Sequence, residues 1–133
     1  MDIDGFQTIL DDVADEIPEE LVRELNGGVI LLPQVKYHPK AEARDLYVMG
    51  EYHAQIPGLG RYIVIYYGSF SYVFGLSTPN ENSRLREEIK RTLLHELRHH
   101  IESLSGVKDL EREDERAIQA YHMRRLHREE DNV

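Results

Sequence analysis

Apolar residues recur along the chain with two periods, and the periods mark out its elements. Between residues 3 and 15, Phe6, Ile9, Leu10 and Val13 fall on one side of a helix, with Asp11, Asp12 and Asp15 on the other. Pro18-Glu19-Glu20 suits the first turn of a second short helix, where proline is tolerated and acids complement the dipole; Asn26-Gly27-Gly28 is a stop signal. Val29 to Leu32 is a β-branched, apolar strand start that Pro33 limits or breaks, with Val35 and Tyr37 as its continuation. Leu46 to Met49, running on into Gly50-Glu51-Tyr52-His53, reads as a second strand, and Arg61 to Tyr67 as the strongest strand in the chain. The aromatic stretch Gly68 to Gly75 reads as a packed loop. Thr78-Pro79-Asn80-Glu81 resembles a capping box and opens a long helix that ends near Leu104, before Ser105-Gly106. A last helix follows from about Asp109 to about Arg128. The predicted architecture is α+β: N-terminal helices, a small antiparallel sheet of about three strands packed on the long helix, and a C-terminal helix, all in one domain over residues 1–133.

The long helix departs from simple amphipathicity. Leu85, Ile89, Thr92, Leu93, Glu96, His99 and His100 recur at roughly 3.6-residue spacing, and Leu94, Leu97, Ile101 and Leu104 form a second apolar stripe beside them. Glu96 and His99 therefore lie in line with buried-type positions. A buried carboxylate and a buried imidazole require partners or a metal.

Those residues belong to His95-Glu96-Leu97-Arg98-His99, the pattern H-E-x-x-H. Residues four apart project from one face of a helix, so His95 and His99 can hold one metal ion between them. Glu96 sits beside that ion, where a base for a metal-held water belongs. A catalytic zinc needs a third protein ligand from elsewhere. His99 lies about six residues, roughly 9 Å, before the Ser105-Gly106 turn. A last helix folding back antiparallel returns to that level at about Glu113 to Ala117. Asp114 is the acid embedded in the stripe Leu110, Ala117, Ile118, Tyr121, with Glu113 at its edge. Asp114 is thus the expected third ligand, Glu113 the first substitute, and Glu102, Asp109 and His53 the remaining choices.

Composition narrows the chemistry. The chain has no cysteine, which excludes thiolate sites and disulfides and leaves imidazole and carboxylate as metal ligands. The net charge of −9 disfavours nucleic acid as a partner. No apolar run is long enough to span a bilayer and no signal peptide is visible, so the expected location is the cytoplasm and no membrane partner is expected.

The order of parts resembles the minimal zincins, small bacterial zinc metallopeptidase-like proteins. The likeness rests on Ile17-Pro18-Glu19-Glu20 after the first helix, Val48-Met49-Gly50-Glu51-Tyr52, the strand Ile63-Val64-Ile65-Tyr66-Tyr67, and His95-Glu96-x-x-His99-His100. The family's usual form is H-E-x-x-H-H-x-G-x-x-D. Here Glu102 and Ser105 stand at the positions of its glycine and aspartate, and Asp114-Glu115-Arg116 resembles its Asp-Glu-Arg. The resemblance implies one zinc per chain on two histidines and an acid, Glu96 as general base, and hydrolysis of a peptide or protein substrate. For a second electrophile the candidates are Tyr121, His100 and His53. An exposed edge at 46–53 or 61–67 would bind an extended peptide by main-chain pairing. His38, His122 and His127 read as solvated surface. The alternative function is a non-catalytic zincin-like module that binds a partner protein, with or without structural zinc.

Overall fold

A computed structural model describes residues 1–40, 46–56, 60–76, 82–105 and 116–125. It is an α+β fold. Helix α1 (Ile3–Asp15) starts where the Asp2 carboxylate accepts from the Gly5 N–H at 2.9 Å. Its apolar side buries Phe6, Leu10 and Val13 against the long helix α4 (Asn82–Ser105). Leu85, Ile89, Leu93 and Leu97 are the buried stripe of α4, which also packs on the sheet.

Helix α2 (Glu19–Val22) is a single turn, shorter than its stop signal predicts. Arg23 is already extended and Glu24 takes a left-handed φ of 64°. The freed Arg23 carbonyl has a specific partner, the buried His100 ring, 2.7 Å away.

The three strands are β1 (Gly28–Leu32), β2 (Gly50–Ile56) and β3 (Gly60–Tyr66), in the order β1-β3-β2. β2 runs antiparallel to β3, but β1 runs parallel to it, so the sheet is mixed and not wholly antiparallel. The reason lies after Pro33. Val35 and Tyr37 do not extend β1. Residues 36–38 instead pair with 46–48, through Tyr37 opposite Tyr47, His38 N–H to the Leu46 carbonyl and Val48 N–H to the Lys36 carbonyl, both at 2.8 Å. The crossing is made earlier, where Gln34 and Val35 pass over Gly68 just beyond the end of β3, and β2 joins β3 on the side away from β1.

The stretch expected to be a loop is helix α3 (Tyr67–Phe74), which ends on Gly75 in the left-handed region at φ 58°. The segment at Gln34 and Val35 crosses directly over it. A Cβ at Gly68 would lie 2.4 Å from the Val35 nitrogen, so only glycine fits there. Ser69 Oγ accepts from the Lys36 N–H at 3.0 Å and holds the crossing.

The second apolar stripe of α4 is only partly covered. Leu97 is buried, whereas Leu94, Ile101 and Leu104 are 37, 39 and 39% exposed among the described residues. Helix α5 spans 116–125, within the expected last helix, and buries Tyr121. No described helix is long and apolar enough to cross a membrane.

Candidate metal centre

Helix α4 is continuous through His95 and His99, so the two imidazoles stand one turn apart, with ring centroids 5.0 Å from each other. One ligand atom each from His95, Glu96 and His99 lies within 4.8 Å of the other two. Tetrahedral zinc at 2.0–2.1 Å needs its nitrogens roughly 3–4 Å apart, within reach of side-chain rotation from this arrangement. The donor set fits the ion. His95 is exposed, His99 half-buried, and Glu96 only 6% exposed. The expected third ligand, Asp114, and its substitute Glu113 lie outside the described residues. The return of the last helix to this level does fall within them: Ala117 and Ile118 share a cavity with His95 and Glu96.

The next residue, His100, is fully buried and points the other way. A carbonyl only accepts, so Nε2 carries the proton and donates to the Arg23 oxygen at 2.7 Å. Nδ1 is then the acceptor for the Tyr52 hydroxyl at 2.8 Å. The Tyr52 oxygen in turn accepts from Arg61 at 3.0 Å, and Arg61 also donates to Ser103 on α4 at 2.5 Å. Both ring nitrogens are thus engaged in structure, and His100 is a positioning residue, not an electrophile. Tyr52→Phe should destabilise the fold by about 1–3 kcal/mol in urea unfolding, because buried Nδ1 loses its donor; an unchanged midpoint would show that this chain of bonds carries no weight.

Of the other candidate electrophiles, His53 stacks on Tyr62 at 4.9 Å and stands 3.8 Å from the Glu51 carboxylate, while Tyr121 is buried beside the His122 ring.

A cleft of about 520 Å³ opens in front of His95, Glu96 and His99, bounded by Gly50, Glu51, Tyr52 and Ala54. Successive strand residues point to opposite faces, so a cleft touching all four runs along the edge of β2. In the described sheet that edge is unpaired, because β2 lies outermost. Arg61 to Tyr66, by contrast, lies in the central strand and offers no edge. Burial raises the Glu51 carboxyl, but hydrogen bonds from Lys36, at 2.6 Å, and from Tyr66 outweigh it, leaving the group below its ordinary range. Lys36 is held up chiefly by the same contact with Glu51.

His38, expected to be solvated surface, lines this cleft and the neighbouring cavity. Its Nδ1 accepts from the Lys40 N–H at 3.1 Å, which places the proton on Nε2. The pairing of 36–38 with 46–48 brings it there. The signal was the alternation Val35, Tyr37 facing a second apolar run, which pairs locally and not with the main sheet.

No family model matches the chain, and no curated protein matches it. Among solved structures the chain is similar to a conserved hypothetical protein from Thermus thermophilus, with 35% identity and a TM-score of 0.66 over 79% of this chain and 98% of that one.

Proposed function

The chain belongs to the family of that conserved hypothetical protein, and we propose that it is a zinc-dependent metallopeptidase hydrolysing peptide bonds in the cytoplasm, a compartment that a cysteine-free chain suits. One observation carries the reading: a nearly buried carboxylate, Glu96, with its oxygen within 4.8 Å of ligand atoms of two imidazoles, all three lining a cleft that follows a strand edge. A purely structural metal gains nothing from an acid placed there and not needed as ligand. His95 and His99 would hold the ion, with Asp114 or Glu113 as third ligand. When bound, zinc supplies Lewis acidity towards the carbonyl and makes a water acidic enough to ionise near neutral pH. Glu96 takes the proton of the attacking water and hands it to the leaving amine. The edge of β2 orients the substrate by main-chain pairing.

A partner-binding module without catalysis is the second reading, supported by the exposed stripe Leu94, Ile101 and Leu104.

Zinc titration of acid variants tests the ligand set. Asp114→Asn should weaken zinc strongly and Glu111→Gln should leave it unchanged. As a mere dipole-favoured helix acid, Asp114 would cost about 0.3–1 kcal/mol of stability and leave zinc alone. Unchanged affinity in Asp114→Asn with loss in Glu113→Gln would move the ligand to Glu113.

A further inference from the structure

Two cavities flank His95 and Glu96, and their chemistry differs. They share His38, Val48 and Gly50 as a common wall. The cleft along β2 adds Glu51, Tyr52, His99 and Ser103. The other, of about 430 Å³, adds Leu46, Tyr47, Met49, Ala117 and Ile118, with Arg91 as its charged member. The Arg91 side chain is 75% exposed and 3.5 Å from Glu88, so its charge lies in solvent at the mouth.

We propose that this apolar cavity is a specificity pocket that takes one large aliphatic or aromatic side chain of the substrate, next to the bond being cut. The proposal rests on the hydrolase reading and deepens it by naming the substrate class. Four observations support it. The volume falls in the range of small-ligand sites, ~300–1,000 Å³. The cavity wall includes Glu96 itself, so whatever fills it stands against the general base. Gly50 belongs to both cavities and begins the unpaired edge of β2. A peptide pairing along that edge therefore passes the pocket mouth and projects alternate side chains to opposite sides. Last, the apolar surface continues outward: the Tyr47 ring lies 5.2 Å from Tyr37 and 5.4 Å from Tyr72, and Tyr72 is 67% exposed.

The geometry also explains how the pocket floor is kept. A Cβ at Gly50 would lie 3.0 Å from Thr92 Cγ2 and 3.1 Å from Ile65 Cδ1. Glycine lets the strand close on α4 there, and Thr92 becomes part of the pocket wall. The chain's net charge of −9 adds a second discrimination, since an acidic side chain would lose solvation and meet an unfavourable field.

The probes are the hydroxamates of N-acetyl-leucine, N-acetyl-phenylalanine, N-acetyl-alanine and N-acetyl-aspartate. Each carries the same zinc-chelating head and differs only in the side chain beside it. Calorimetric titration into the zinc-loaded full chain should show the leucine and phenylalanine compounds binding about tenfold or more tighter than alanine, and aspartate weakest. Ala117→Phe, a substitution at an exposed helix position that fills the cavity, should reduce the preference of leucine and phenylalanine over alanine to under twofold. Ile118→Ser should lower it without filling the space. Affinities within twofold across the four compounds would overturn the pocket and leave the metal site standing. If the protein takes up no zinc and binds none of the compounds, the hydrolase reading itself has failed and the pocket falls with it. A dimer in sedimentation that Ala117→Phe dissolves would mean that a second copy fills the cavity, which also overturns the proposal.

Discussion

With His95 or His99 replaced by alanine, the protein is expected to carry no zinc after dialysis, against about one per chain for the parent. The expectation follows from where the ligands stand. Both imidazoles come from one turn of α4, and in the proposed three-ligand site either substitution removes one of the three ligands. The loss should exceed the roughly 10–100-fold that removal of an outer partner costs. The fold should survive, because His95 is exposed and His99 half-buried, and neither belongs to the core of Phe6, Leu10, Ile89, Leu93 and Leu97. An unchanged unfolding midpoint in the metal-free state, together with elemental analysis, separates loss of ligation from loss of structure. Full zinc retention by both variants would end the metal reading.

Glu96→Gln should give the opposite pattern: zinc kept, hydrolysis lost. The amide matches the carboxylate in shape, so the nearly closed site around residue 96 is preserved. What it cannot do is accept a proton, and loss of a general base typically costs about 10²–10⁴-fold in rate. Product formation from a peptide library and zinc content, measured on one preparation, provide the check. Activity equal to the parent's would remove Glu96 from the chemistry.

How much of this was legible in the sequence depends on the range over which each feature is decided. The site helix was readable because its evidence is local. Leu85, Ile89, Leu93 and Leu97 repeat at the helical period, and His95 and His99 inherit their common face from that same period. Strand existence was readable too, since Val29 to Leu32 and Arg61 to Tyr66 have the composition of strands. Strand direction was not. Parallel pairing of β1 with β3 goes with the passage of Gln34 and Val35 over Gly68, and no local signal encodes that crossing. Helix α3 was misread because Phe70, Tyr72 and Phe74 alternate as in a strand or irregular segment, while the helix is decided by its docking under Gln34 and Val35 at Gly68. His38 entered the site by the same long-range crossing. Asp114 and Glu113 lie outside the described residues, so only the return of Ala117 and Ile118 speaks to that part of the reading.

The bonds around His100 have a thermodynamic consequence. Successive residues of a helix differ by about 100° in direction, so anchoring His100 to Arg23 and Tyr52 on one side fixes the angular phase of α4 for every residue on it. His99 is thereby turned into the cleft by a neighbour whose own ring nitrogens are both engaged elsewhere. If zinc is bound as proposed, its two histidine ligands would be aimed by the fold before the ion arrives, unlike small zinc modules in which ion uptake and folding are one event. On that reading zinc uptake would bury little new apolar surface, so its heat-capacity change should be near zero, and its enthalpy should be that of ligand exchange and proton release.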